Sequence, residues 1–162
     1  MQWYLTGRPG IGKTTFCLKL AEILRSEGIS CGGVVSQEIK NGGSRIGFEF
    51  VDLETGEIFP LSSIYGQGPR VGKYRVNLNG ITKAIAVVNG TSADVVFLDE
   101  LGPLELKSPG FKQMVDRLLS SDRVAVVVVH RNLAPNFECI EVTMDNRETL
   151  LEDLAGEIRQ TL

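Results

Sequence analysis

The sequence predicts an α/β fold: a mostly parallel sheet covered by helices, with a small antiparallel insert. Three observations lead there. A segment at residues 94–98 that is apolar after its leading Asp94 and a continuous apolar run at 124–129, both suited to buried parallel strands, alternate with segments whose apolar residues recur at helical spacing. A glycine-rich turn follows the first strand and opens the first helix. Between residues 31 and 61 the pattern changes to short strands joined by turn residues, as in an antiparallel meander. A chain of 162 residues is of one-domain size, and 43% hydrophobic with 23% charged residues is the composition of a packed globular core.

Residues 2–6 form the first strand. A helix is expected over 14–27, with Phe16, Leu20, Ile23 and Leu24 on its apolar face and Gly28 as a left-handed cap. Residues 31–40 and 44–53 are two strands joined by Asn41-Gly42-Gly43, which accommodates positive φ; residues 54–57 turn into a strand at 58–61. Helical spacing returns at 81–88. Ser108 as N-cap and Pro109 in the first turn open a helix that buries Phe111, Met114, Val115, Leu118 and Leu119. Residues 138–143 form a last strand, and Asp145 with Glu148 is a capping box for a helix carrying Leu150, Leu151, Leu154 and Ile158.

Composition excludes several classes of function. With 17 Lys and Arg against 20 Asp and Glu, the net charge of −3 supplies no basic field for nucleic acid, so any anion must be held locally. The longest apolar run, 124–129, is far shorter than the ~20 residues that cross a bilayer, and residues 1–5 lack the features of a secretory signal, so a cytoplasmic location without membrane partners is expected. Cys17, Cys31 and Cys139 are odd in number and lack paired spacing, which favours reduced, core-packed thiols. Trp3 is expected to pack rather than to stack on a ligand.

Gly7-Arg8-Pro9-Gly10-Ile11-Gly12-Lys13-Thr14 fits the phosphate-binding pattern G-x-x-x-x-G-K-[ST] without a mismatch, a match expected by chance at about one start position in 10⁴–10⁵. Each position has a physical reason. Gly7, Gly10 and Gly12 allow positive φ and close approach, so that successive N–H groups form a nest for an anion. The helix start adds its positive dipole end. Lys13 reaches the β and γ phosphates, the Thr14 hydroxyl suits Mg²⁺, and Thr15 can bond the α phosphate.

Val95-Val96-Phe97-Leu98-Asp99-Glu100 is an apolar strand ending in two acids. An Asp there is most simply explained by a bound cation, which makes Asp99 the second expected Mg²⁺ residue, and Glu100 is placed to orient or activate an attacking water. Residues 58–93 contain no acid but carry Arg70, Lys73, Arg75 and Lys83, a candidate anion-facing surface. Arg45 is a second source of positive charge. His130 and Arg131 follow the 124–129 strand, where Arg131 can act as an internal arginine finger and His130 as a γ-phosphate sensor.

Taken together, GRPGIGKTT at 7–15, Glu38 in SQEIK, RIGF at 45–48, VGKYRVN at 71–77, DELGPLEL at 99–106, and Ser108 with Phe111 resemble the small nucleoside-triphosphatases of the THEP1 type over nearly the whole chain. The resemblance implies a RecA/AAA-like P-loop fold, a three-layer sandwich, and slow Mg²⁺-dependent hydrolysis of ATP, GTP and other nucleoside triphosphates. It further implies that the nucleotide lies along 7–14 and along Val96, Phe97, Leu98, Asp99, Glu100, Leu101, Gly102 and Pro103. Lys40 stands where this family often has Arg, which weakens any bidentate role there, and Leu104 replaces its usual Met.

The leading reading is one P-loop domain over residues 1–162 that hydrolyses nucleoside triphosphates, with Lys13, Glu100 and Arg131 catalytic, Thr14 and Asp99 holding Mg²⁺, and one of Arg45, Arg70, Lys73 or Arg131 stabilising the transition state. A small-molecule or nucleoside kinase and a non-enzymatic nucleotide switch are the alternatives. A P-loop reads phosphates, not bases, so base preference stays open. The oligomeric state has no sequence signal, and a monomer is the simplest expectation.

Overall fold

A computed structural model describes residues 1–162. Its strands are β1 (Gln2–Thr6), β2 (Cys31–Asn41), β3 (Ser44–Asp52), β4 (Ile58–Ser63), β5 (Arg70–Val71), β6 (Tyr74–Val76), β7 (Val95–Leu101), β8 (Val124–Val129) and β9 (Cys139–Glu141). Its helices are α1 (Lys13–Ser26), α2 (Leu78–Gly90), α3 (Pro109–Ser120) and α4 (Arg147–Thr161). All nine strands join one mixed sheet in the order β5-β6-β4-β3-β2-β7-β8-β1-β9. The pairs from β2 through β7, β8 and β1 to β9 are parallel; those from β2 through β3, β4 and β6 to β5 are antiparallel.

The side-chain alternation of the central strands sorts the core into two. Val95, Phe97, Val126 and Val128 point into a cluster with α1 and α4; Val96, Leu98, Val127 and Val129 point into another with α2 and α3. Burial on both faces is the reason 124–129 is apolar at every position. Trp3 packs in the first cluster and donates from Nε1 to Glu157 Oε2 at 2.9 Å. All three thiols are free, with Cys17 and Cys31 buried.

Several expectations are corrected. The antiparallel segment is not a separate insert: it continues the main sheet through β2, whose first half pairs with β7 and whose length pairs with β3. Residues 70–76, expected only as a basic cluster, form the β5–β6 hairpin, closed at Gly72 with φ 58°. Helix α2 begins three residues before the expected 81. Asn77 caps it by accepting from Gly80 N at 2.8 Å, and that Asn-Leu-Asn-Gly start looks like a turn in sequence. Strand β7 runs on through both acids to Leu101, while β9 covers only Cys139–Glu141. Ser108 occupies the N-cap of α3 without a side-chain cap bond. The expected Asp145–Glu148 box is absent: Thr143 and Asn146 exchange bonds instead, Thr143 N donating to Asn146 Oδ1 at 2.8 Å and Asn146 N to Thr143 Oγ1 at 3.1 Å.

Gly33 joins the two halves of the sheet. It has φ 99°, and a Cβ there would stand 2.0 Å from the Phe97 carbonyl oxygen on β7. Gly33→Ala is therefore expected to cost about 2–4 kcal/mol, because both the conformation and the strand spacing must yield. Thermal unfolding should show a melting temperature lower by roughly 5–15 °C; an unchanged melting temperature would show that this approach can relax freely.

Candidate active site

The parallel strands deliver the chemistry to one edge of the sheet. The glycine loop follows β1, Asp99 and Glu100 lie at the end of β7, and His130 and Arg131 follow β8. Because β8 and β7 lie between β1 and β2, the connecting helix α1 must cross both, and its first turn passes over the end of β7. The result is a cleft of about 510 Å³ lined by Gly7, Pro9, Gly10, Gly12, Lys13, Thr14 and Thr15, by Asp99, Glu100 and Glu105, and by His130 and Arg131. Residues 36–38 of β2, together with Arg45, Phe48 and Leu61, complete the lining, along with Leu18 and Leu104.

Within the loop, Gly10 has φ 80° and Gly12 φ 96°, as the nest requires. Gly7 is needed for a different reason from the one expected. Its φ is not positive, but a Cβ there would stand 2.9 Å from the Val142 carbonyl oxygen and 3.0 Å from Ile11 Cγ2. Helix α1 starts at Gly12 without a side-chain cap, so its leading N–H groups are available to an anion. Lys13 Nζ donates to the Gly7 carbonyl at 2.6 Å, which holds the ammonium across the loop. Ile11 is buried and anchors the loop, while Arg8 is exposed; neither lines the cleft.

Asp99 is 3% exposed, and its Oδ2 lies 2.5 Å from Thr14 Oγ1, which is also 3.0 Å from the Ser36 carbonyl oxygen. Burial pushes the Asp99 carboxyl up to about 6, against the opposing pull of Thr14, the Ser36 backbone and Lys13. Glu100 is pushed up to about 7, first by burial and then by Asp99. A buried carboxylate beside a hydroxyl, in no ion pair, is a donor set for a hard divalent cation. Two protein oxygens suffice when phosphate and water fill the remaining positions.

The rest of the stretch expected along the nucleotide divides sharply. Val96, Phe97 and Leu98 are 0% exposed and belong to the two cores, so their side chains do not line the cleft. Leu101 is buried as well, and neither Gly102 nor Pro103 lines the cleft. Among the candidate cations, Arg131 lines the cleft, is exposed and forms no salt bridge. Arg45 also lines it, but is paired with Glu38 and lies 5.2 Å over the Phe48 ring. Arg70 and Lys73 sit on the β5–β6 hairpin outside the cleft, where Lys73 lies over Tyr74. Lys83 pairs with Glu57, so the stretch without acids in sequence is not without acids in space. His130 N donates to the Leu101 carbonyl at 2.9 Å, and its Nδ1 accepts from Asn132 N at 3.2 Å. Burial, then Lys13 and Arg131, lowers its pKa and favours the neutral ring.

Sequence reasoning gave no role to Ser36, Gln37 or Glu105. The first two act through the position of β2, which no local pattern reveals. Glu105 carries a faint signal, an acid between Leu104 and Leu106 just after the Asp-Glu pair.

A phosphate-cradling loop facing a buried Asp-Glu pair on a parallel sheet edge defines a nucleotide-binding α/β enzyme of the triphosphate-cleaving class. The comparisons make the class particular. A family model described as NTPase matches residues 2–155, and the chain belongs to that family. It is 39% identical to the nucleoside-triphosphatase THEP1 of Methanopyrus kandleri, over 98% of this chain and 95% of the relative. It is 36% identical to that of Pyrococcus abyssi, over 100% and 94%. Two solved structures superpose on it: the crystal structure of THEP1 from Aquifex aeolicus (TM-score 0.81, 27% identity, 98% and 99% coverage) and the solution structure of a human cancer-related nucleoside triphosphatase (TM-score 0.80, 29% identity, 99% and 98% coverage). No helix is long and apolar enough to cross a membrane.

The raised carboxyls predict a pH dependence. Asp99, Glu100 and Glu105 all bind protons more tightly folded than unfolded, so they make the metal-free, nucleotide-free protein lose stability as pH rises from about 4 through about 7 and, for Glu105, beyond. His130, lowered, works in the opposite direction as a single group. Melting temperatures compared at pH 5.5 and 8 should fall toward pH 8, and less steeply in Asp99→Asn. An equal slope in that variant would mean that Asp99 is not the source.

Proposed function

We propose that this nucleoside-triphosphatase is a single P-loop domain over residues 1–162, RecA/AAA-like in arrangement, that hydrolyses nucleoside triphosphates to diphosphate and phosphate with Mg²⁺. The observation that carries the reading is the convergence of Lys13 and Thr14 from α1 with Asp99 and Glu100 from β7 on one cleft. The loop residues Gly7, Gly10 and Gly12 with the α1 N-terminus bind the phosphates through backbone N–H groups. Lys13 leaves the Gly7 carbonyl for the β and γ phosphate oxygens, and Thr15 takes the α phosphate. Thr14 and Asp99 would hold Mg²⁺, which would neutralise phosphate charge when bound.

Glu100 orients the attacking water and accepts its proton as the new P–O bond forms and the bond to the β-phosphate oxygen breaks. Its elevated pKa of about 7 suits a base working near neutrality. Arg131, unpaired at the mouth of the cleft, stabilises the charge that develops on the transferring group, a role for which Arg45 is less suited because Glu38 neutralises it. An acid beside the reacting end favours water over an acceptor substrate, and so favours hydrolysis over phosphoryl transfer. Absence of a basic field argues against a nucleic-acid partner, and a monomeric cytoplasmic enzyme accommodates all of these features.

Phosphate release tests the assignment. Lys13→Ala is expected to reduce turnover by at least about 10²-fold. Glu100→Gln should bind Mg-ATP like the unaltered protein yet lose about 10²–10⁴-fold in kcat; unaltered turnover in this variant would remove Glu100 as the base. Chelation of divalent cations should abolish phosphate release for ATP, GTP, CTP and UTP alike, and added Mg²⁺ should restore it.

A further inference from the structure

One group in the cleft has no task in the mechanism above. Glu105 opens a single helical turn, Glu105–Lys107, between β7 and α3. It is 1% exposed, and its Oε2 has no hydrogen-bond partner. Its neighbours Leu104 and Leu106 pack on the apolar cluster under α2 and α3, while Glu105 itself lines the cleft, where a leucine or methionine would be its apolar isostere. A buried carboxyl with an unsatisfied oxygen lowers stability relative to such an isostere, so something other than folding must account for it.

Glu100 stands near that unpartnered oxygen. A Cβ on Gly102 would stand 3.1 Å from Glu100 Oε1 and 3.3 Å from Glu105 Oε2, so the two carboxyl groups border the same small space, and only glycine leaves it open. The other side of that space is His130, whose Cβ would be 3.3 Å away. The charged groups around it are Glu100 and Asp99 from β7, Arg131 after β8 and Lys13 from α1, all lining one cleft with Glu105. Burial first, then Glu100, holds the Glu105 carboxyl well above the usual carboxylate range, and the backbone N–H groups of Glu105 and Gly102 offset this only in part. In that neutral form the carboxyl carries an O–H donor.

We propose that Glu105 is a positioning residue for hydrolysis, its carboxyl donating beneath Gly102 to the Glu100 carboxylate and holding it in the orientation that receives the proton of the attacking water. Glu105 keeps its own proton throughout; the water proton passes to Glu100 alone. The inference rests on the reading of Glu100 as base and adds the group that orients it. Its design is a familiar exchange in functional sites, stability given up for a fixed reacting group.

Steady-state phosphate release from Mg-ATP and thermal unfolding of the full chain test it with Glu105→Leu, Glu105→Gln and Glu100→Gln. Glu105→Leu should melt no lower than the unaltered protein and keep KM within about twofold, while kcat falls at least about tenfold. Glu105→Gln, which restores a neutral donor of the same shape, should recover kcat to within about threefold. Wild-type kcat in Glu105→Leu, or a loss carried by KM alone, overturns the proposal, as does an equal loss in the Gln and Leu variants. Should Glu105→Leu fail to fold, Glu105→Met takes its place with the same expectations. Full turnover in Glu100→Gln would instead overturn the base itself, whereas an inactive Glu100→Gln beside a fully active Glu105→Leu rejects only the positioning role.

Discussion

The burial of the Asp99 carboxylate at the end of a wholly apolar strand is the constraint around which this molecule is arranged. A carboxylate taken out of water without a partner costs several kcal/mol or gives up its charge. Asp99 meets a hydroxyl at 2.5 Å and a lysine across the loop, and no ion pair. That contact exists because α1 has to cross β8 and β7 on its way from β1 to β2. The same crossing sets the loop, the helix N-terminus and the acidic strand end face to face. The glycine loop and the Thr14–Asp99 contact are thus products of one connection, not of two separately placed segments.

Rigid support for this edge comes from the two apolar clusters. With helices packed on both faces, β7 and β8 alternate their side chains between cores, and their ends are held in register by parallel pairing from Val95↔Val124 to Leu101↔Val129. The pairing shifts at Glu100, which has no partner on β8. Such a bulge turns a side chain away from the regular alternation, and here it leaves Glu100 half-buried in the cleft between two buried neighbours, Asp99 and Leu101. The antiparallel half contributes differently. Strand β2 is long enough to pair with β7 near its start and to carry Ser36, Gln37 and Glu38 past the glycine loop, while β3 brings Arg45 and Phe48 to the same wall.

Much of this was legible in residues alone, for definable reasons. The glycine loop is contiguous, and each of its positions answers a local requirement of backbone or charge, so sequence revealed it in full; only the reason for Gly7 changed, from conformation to close approach of Val142. Asp99 and Glu100 were legible because acids are rare after a run of buried aliphatics. The side chains of 96–98 lie outside the cleft lining for the same physical reason that made the strand recognisable: they are buried on the two faces of the sheet. Positive residues between 58 and 93 looked unopposed because sequence distance hides Glu57 beside Lys83.

By itself the sequence determined the α/β class, the phosphate loop, the acidic strand end and the membership in a triphosphatase family, since all of these rest on periodicity and on contiguous motifs. Only the tertiary structure decided which scattered groups share the cleft. It separated Arg131 and Arg45 from Arg70 and Lys73, joined the antiparallel strands to the main sheet, and turned Glu105 from one acid among leucines into a buried carboxyl in the same cleft as Glu100. Those outcomes depend on strand order and on helix crossing, which are set by the packing of the whole chain and leave no mark on any one segment.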